Sequence, residues 1–208
     1  VSLYLWSARS VRKFPLTDDY TMVNDNLETL SSLLRNGVIS KTSNGYRITN
    51  DLARYLEGTD DPDGEAASLI GDGLASCVLG FDHTDQERSR TIILASDNEV
   101  NGEGLYTLKE AIDFAKRQKV EVIGLYPGST LTTEGEDMKN QVESTGGEFY
   151  TMSSSGTVDS IVQNIEAQQK REVEGDARVT VTDRVNKPVA WLAVAIVAFL
   201  GLVGFAKL

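Results

Sequence analysis

Thr91-Ile92-Ile93-Leu94-Ala95-Ser96-Asp97 is the stretch on which the fold turns. Five apolar or β-branched residues in a row, closed by Ser and Asp, read as a short buried strand with a turn at its carboxyl end. A Gly-containing loop extends from Asp97 to Gly104. Then Leu108, Ala111, Ile112 and Ala115 recur at helical spacing, and Val120 to Tyr126 (VEVIGLY) makes a second buried strand closed by Pro127-Gly128. Strand, helix, strand of this kind is the repeating unit of a parallel sheet, because parallel neighbours need a crossover between them.

The same alternation extends outward. Downstream, a helix is expected from about Glu136 to Thr145, stopped by Gly146-Gly147. A short strand at Glu148 to Thr151 comes next, then a helix through Val158, Ile161, Val162 and Ile165. Upstream, Leu69, Ile70, Leu74, Cys77, Val78 and Phe81 mark a helix after the polar loop Glu57 to Ala67. Val23, Leu27, Leu30 and Leu34 mark an earlier helix, capped by Thr17-Asp18-Asp19 and ended by Asn36-Gly37. Val1 to Ser7 and Val11 to Phe14 read as two strands across a turn. Val38 to Leu56 carries a weak pattern, a short strand and a helical turn. The expected architecture is therefore α/β: a doubly wound, mostly parallel sheet covered by helices on both faces. Such sheets bind ligands beyond the carboxyl ends of their strands, which draws attention to the loops after Ala95 and Tyr126.

The C-terminal end differs from everything before it. Pro188 to Ala206 (PVAWLAVAIVAFLGLVGFA) contains no charge. A helix of that length reaches roughly 28 Å, the thickness of a hydrocarbon core. Trp191 sits near one interface, and Lys187 and Lys207 bracket the run. The expected organisation is an α/β domain over 1–170, a juxtamembrane segment over 171–187 and a transmembrane helix over 188–206. Arg178, Arg184 and Lys187 before the span against Lys207 after it bias the domain toward the cytoplasmic side, a count of three against one that leaves the side open. Val1 opens directly into a strand-like stretch, which reads as a fragment or a processed end.

Composition narrows the function. There are 31 acidic and 20 basic residues, a net charge of -11. Nucleic-acid partners need clustered Lys and Arg, so they are disfavoured, whereas cations and basic protein surfaces suit an acidic chain. The lone Cys77 forms no intrachain disulfide and reads as a small core residue. Gly71-x-Gly73 comes after a polar loop instead of a strand and lacks a third Gly, which speaks against a nucleotide loop. The acidic loop with Asp60, Asp61, Asp63 and Glu65 lacks EF-hand spacing. His83 stands alone in a charged connection. These features point away from an enzyme.

Two oxygen-bearing residues stand out: Ser68 before the Leu69 helix, and Asp97 after the Thr91 strand. A hydroxyl and a carboxylate are hard ligands that suit Mg²⁺, and Ca²⁺ or Mn²⁺ less selectively. Each also has a plain structural use, Ser68 as a helix cap and Asp97 as a turn former.

Taken in order, Ser68-Leu69-Ile70-Gly71-Asp72-Gly73-Leu74, Ile92 to Asp97, Ala115-Lys116 running into Val120 to Leu125, and Ser144-Thr145-Gly146-Gly147-Glu148-Phe149-Tyr150 resemble a bacterial membrane-anchored von Willebrand factor A domain. Phe14-Pro15-Leu16-Thr17-Asp18-Asp19-Tyr20 is similar to the stretch after the second strand in its membrane-bound members. The resemblance covers roughly residues 1–170. It implies a metal-ion-dependent adhesion site whose ligands come from three loops, with a partner's carboxylate often completing the shell. Ser68 matches the second-loop Thr and Asp97 the third-loop Asp. The Asp-x-Ser-x-Ser run of the first loop does not occur in this sequence, and the usual Asp-Gly of the third loop is Asp97-Asn98. The expectation is a membrane-tethered protein-binding module, dependent on a divalent cation in its intact form, with an unidentified protein partner and an incomplete metal site in these residues. The rival readings are a metal-independent scaffold subunit of a membrane assembly and an α/β enzyme with a nucleotide cofactor.

Overall fold

The computed structural model describes residues 1–42, 45–60, 67–83, 88–152, 159–163 and 166–167. The expected juxtamembrane segment and transmembrane helix lie outside them. Among the described residues, no helix is long and apolar enough to cross a membrane. The chain divides into two compact units, Val1–Ile165 and Glu166–Leu208. All the strands and helices named below belong to the first unit.

The fold is mixed α/β. Seven strands are described: β1 (Leu3–Trp6), β2 (Ser10–Phe14), β3 (Val38–Thr42), β4 (Gly45–Ile48), β5 (Thr91–Ala95), β6 (Glu121–Tyr126) and β7 (Phe149–Thr151). Five helices join them: α1 (Tyr20–Gly37), α2 (Asn50–Tyr55), α3 (Ile70–Leu79), α4 (Leu108–Arg117) and α5 (Thr133–Glu143). The strands form three sheets, the antiparallel pairs β1-β2 and β3-β4 and the parallel sheet β5-β6-β7. Thr91 pairs with Glu121 and Ala95 with Leu125, so β5 and β6 run in register along their length. The expected βαβ units are present. The weak region after Gly37 holds a hairpin and the short helix α2, one strand more than its pattern suggested.

The core explains the order of the elements. On α4, Leu108, Ala111, Ile112 and Ala115 are all buried, the i, i+3, i+4, i+7 set of one helical face. They meet Leu74, Ala75 and Val78 of α3, Ile92 and Leu94 of β5, Val122 of β6, and Met138 and Val142 of α5 in one cluster. Val122 and Ile123 of β6 are both fully buried, so this strand is covered on its two faces. β5 is not. Ile92 and Leu94 are buried while Ile93 between them is 50% exposed. The apolar run thus behaves as an alternating strand at the edge of its sheet, and the reading of TIILA as wholly buried is corrected at Ile93.

Caps set the helix limits. Asp19 caps α1 by accepting from the Met22 N–H, as expected. Thr132 caps α5, which begins at Thr133, three residues ahead of its expected start. Thr107 and Glu110 form a reciprocal capping box on α4. The Thr107 backbone N–H and then its hydroxyl hold the Glu110 carboxyl below its ordinary range. A depressed carboxylate stabilises the fold fully above its unfolded pKa, and that contribution is lost as the pH falls through the folded value.

Two adjacent glycines end α5 for different reasons. Gly146 has φ +92°, with nothing within 4 Å of an added Cβ. Gly147 has ordinary φ, but a Cβ there would overlap the Val122 carbonyl of β6. Gly146→Ala should therefore cost only the left-handed backbone penalty, about 1 kcal/mol. Gly147→Ala should cost more, about 2–3 kcal/mol, because backbone cannot move aside as a side chain does. Urea unfolding of the two variants checks this, and equal losses would contradict the steric account.

Candidate functional site

The site is built at the carboxyl end of β5, where the loop Ser96 to Thr107 meets the first turns of α3, α4 and α5. Three sets of contacts hold it. At its start, the Asp97 carboxylate accepts from the Glu99 N–H at 3.1 Å and the Ser96 hydroxyl oxygen from the Asn98 N–H at 3.0 Å, a pair of local side-chain turns. In its middle, Asn101 pairs with Ser68 as an isolated antiparallel bridge, with N···O distances of 2.8 and 3.2 Å. At its end, the Asp72 carboxylate of α3 accepts from the N–H groups of Leu105 (3.1 Å) and Tyr106 (2.7 Å).

The structure therefore brings Ser68 to the loop that Asp97 opens, by backbone pairing four residues beyond Asp97. Ser68 is also tied to the end of β1. The Leu69 N–H donates to the Ser7 carbonyl at 2.9 Å, and the Ser7 hydroxyl donates to the Ala67 carbonyl at 2.7 Å. The cap role expected for Ser68 is not seen: α3 starts one residue later, its cap position is Leu69, and no side chain caps it. Asp97 is exposed, and among the described residues its carboxylate accepts locally, from the Glu99 N–H. Among the described residues, no group of three or more His, Cys, Asp or Glu is placed to hold a metal ion.

Asn98 is the residue whose importance the sequence conceals. It is 6% exposed and has φ +59°. Asn is among the few non-glycine residues that tolerate this conformation. Its Nδ2 donates to the Glu134 carbonyl at 2.8 Å, joining the β5 loop to the first turn of α5. Its Oδ1 is buried without a donor. Only the pairing of a dihedral in one loop with a carbonyl 36 residues on reveals this role.

A cleft of about 750 Å³ opens between these elements, lined by Leu69, Ile70, Asn98, Val100, Glu134 and Gln141 among others. Its lining mixes the aliphatic Leu69, Ile70, Val100 and Leu108 with polar and charged side chains. Glu134 has its carboxyl held below the ordinary range by its own backbone N–H and the Thr132 hydroxyl, so it is ionised at neutral pH. Elsewhere, Cys77 packs against the core and its thiol is pushed up to about 12 by burial, which keeps it protonated and unreactive at neutral pH. His83 lies in the exposed connection, 3.9 Å from Asp82.

The Asp72 contacts are open to direct measurement. Asp72→Ala should hand the exposed Leu105 and Tyr106 N–H groups over to water and cost about 0.5–1.5 kcal/mol. Amide exchange should accelerate through 98–107 while β6 stays protected. Uniform acceleration across the domain would show that Asp72 supports the fold at large and not the loop.

No protein-family model matches the chain. No curated protein matches it. Among solved structures it is similar to an uncharacterized membrane spanning protein from Vibrio fischeri, at 20% identity and a TM-score of 0.33, with 81% of this chain and 75% of that one covered. It is also similar to proximal thread matrix protein 1 from the mussel byssus, at 14% identity and a TM-score of 0.48, covering 81% of this chain and 34% of that one. Likenesses this distant carry no argument about ligand, partner or activity.

Proposed function

We propose that this chain is a membrane-tethered, von Willebrand factor A-like protein-binding module whose upper loops hold a divalent cation, Mg²⁺ in the first instance. The observation that carries the reading is the backbone bridge between Ser68 and Asn101, which draws the Ser68 segment to the loop that Asp97 opens. Asn98 in the left-handed conformation supports it, because that position in the family pattern is Gly. The parallel β5-β6-β7 sheet supports it too, because such sheets bind ligands beyond the carboxyl ends of their strands.

Ser68 and Asp97 would supply two oxygen ligands. Mg²⁺ prefers six and gives up its waters reluctantly, so two ligands leave it mostly hydrated and weakly held. A partner carboxylate would then add much of the affinity, which is the chemistry of a cation-dependent adhesion module. The apolar run Pro188 to Ala206 would keep the module at a bilayer. A catalytic role is not part of this reading.

The rival reading, a metal-independent scaffold, is favoured by one feature. Leu27 and Leu34 on α1 are 44% and 50% exposed, an apolar stripe suited to a neighbouring helix. Thermal unfolding separates the two. Millimolar Mg²⁺ should raise the melting temperature of the wild-type chain by linkage. Asp97→Ala should abolish the rise and Ser68→Ala should reduce it. A wild type indifferent to Mg²⁺ would select the scaffold, and a rise undiminished by Asp97→Ala would remove Asp97 as a ligand.

A further inference from the structure

The helix α1 is the longest among the described residues, yet of its 18 residues only Val23 and Gly37 are buried. Most helical stability in proteins comes from packing an apolar face. A helix of about 27 Å that buries one apolar side chain is therefore short of cover. Its remaining apolar residues are not scattered. Tyr20, Leu27 and Leu34 are exposed and stand seven residues apart. Seven residues are nearly two full turns, so the three side chains form one line along the helix. Val23 and the half-buried Leu30 border that line on the side facing the domain. The helix α2 packs on the same side, where a Cβ at Gly37 would crowd Leu52. On the other side Asn24 and Ser31 are exposed, short and uncharged, so the line can be covered with no charge beside it taken out of water.

Charge divides between the two ends of this helix. From Asp18 to Leu34 there are four acids, Asp18, Asp19, Asp25 and Glu28, and no basic residue. Arg35 is exposed in the last turn. Arg47 is exposed at the same end, because Ile48 beside it pairs with Val38, the residue that follows α1. Two copies of α1 laid side by side in one direction would set acid against acid. Laid head to tail, the Arg35 end of each meets Asp18 and Asp19 of the other, and the helix dipoles attract. A bilayer surface is a poorer cover. Helices that lie on lipid are rich in Lys and Arg, and α1 carries Arg35 against Asp25 and Glu28.

We infer that α1 is a dimer face, covered by α1 of a second copy of this chain running antiparallel to it. Leu27 of the two copies meets at the two-fold axis, and Tyr20 of each faces Leu34 of the other. A two-fold contact is isologous, so one apolar line serves both copies. Two lines of this length bury roughly 1,000 Å² in total, the lower end of specific interfaces, which makes the dimer a weak and reversible one. The pair carries two loop rims, and a partner with two matching sites gains from both. No residue of the rim takes part and no cation is needed, so the dimer stands or falls separately from the reading of the rim.

The full chain in a density-matched non-ionic detergent is followed by sedimentation equilibrium, with EDTA present. It should show a reversible monomer–dimer equilibrium in the micromolar range. The double variant Leu27→Glu with Leu34→Glu should weaken that equilibrium by about tenfold or more, since it sets like charges face to face. Both side chains are exposed in the single copy, so circular dichroism should be unchanged and show that the variant folds. Mild oxidation then reads the direction. Leu27→Cys should link to itself across the axis. Tyr20→Cys and Leu34→Cys should link to each other when mixed, and far less each to itself. The parent chain, whose Cys77 packs against the core, is the control. A chain that stays monomeric, a dimer that the double variant leaves intact, or self-links at positions 20 and 34 in place of the mixed one would overturn the inference.

Discussion

The close seating of α3 against the start of α4 is the constraint on which the rest depends. A Cβ at Gly71 would overlap the Tyr106 carbonyl and the Thr107 backbone, so only glycine lets the two helices meet there. One residue on, Asp72 accepts two N–H groups from the strand-to-helix loop. The segment before α3 is bridged to the middle of that loop through Ser68 and Asn101. Steric fit, a charged acceptor and a backbone bridge thus fix one helix start against one loop at three points. The rim of the sheet inherits its shape from this junction, and so does the cleft beside it.

The site is a product of packing before it is a product of chemistry. Ile70, Leu74, Ala75 and Val78 anchor α3 in the core, and burying side chains of this kind contributes about 1.5–3 kcal/mol for each large one. That anchoring holds the first turn of α3 in place. The polar groups at the rim add little to stability, yet their positions depend on it. Rigid elements carrying short, pinned loops are what a recognition surface needs, because ordering costs are met during folding and not again on binding.

The sequence disclosed the parts of this that local pattern controls. The four-residue apolar set on α4, the Asp19 cap and the Gly146 stop are short-range features, and they stand where the sequence places them. The parallel pairing of β5 with β6 is a consequence of the helix between them. Features that depend on neighbours distant in sequence were hidden. Ile93 looked buried because an apolar run does not say which strand is at the edge. Ser68 looked like a cap because hydroxyls before helices often are, and the bridge to Asn101 took it instead. The β3-β4 hairpin is only half legible because its strands are short and its pattern weak. The bond from Asn98 to the Glu134 carbonyl has no sequence signature at all, since it exists only once α5 lies beside the β5 loop.

A hydroxyl and a carboxylate from separate segments sharing one cation at this rim is the proposal most in need of a direct reading. Paramagnetic broadening by Mn²⁺ provides one, residue by residue, in the amide spectrum of the full chain. Substoichiometric Mn²⁺ should broaden the signals around Ser68 and Asp97 together, along with those of Asn98 to Asn101. Broadening centred on the acidic stretch Asp60 to Glu65, or on only one of the two segments, would contradict the account.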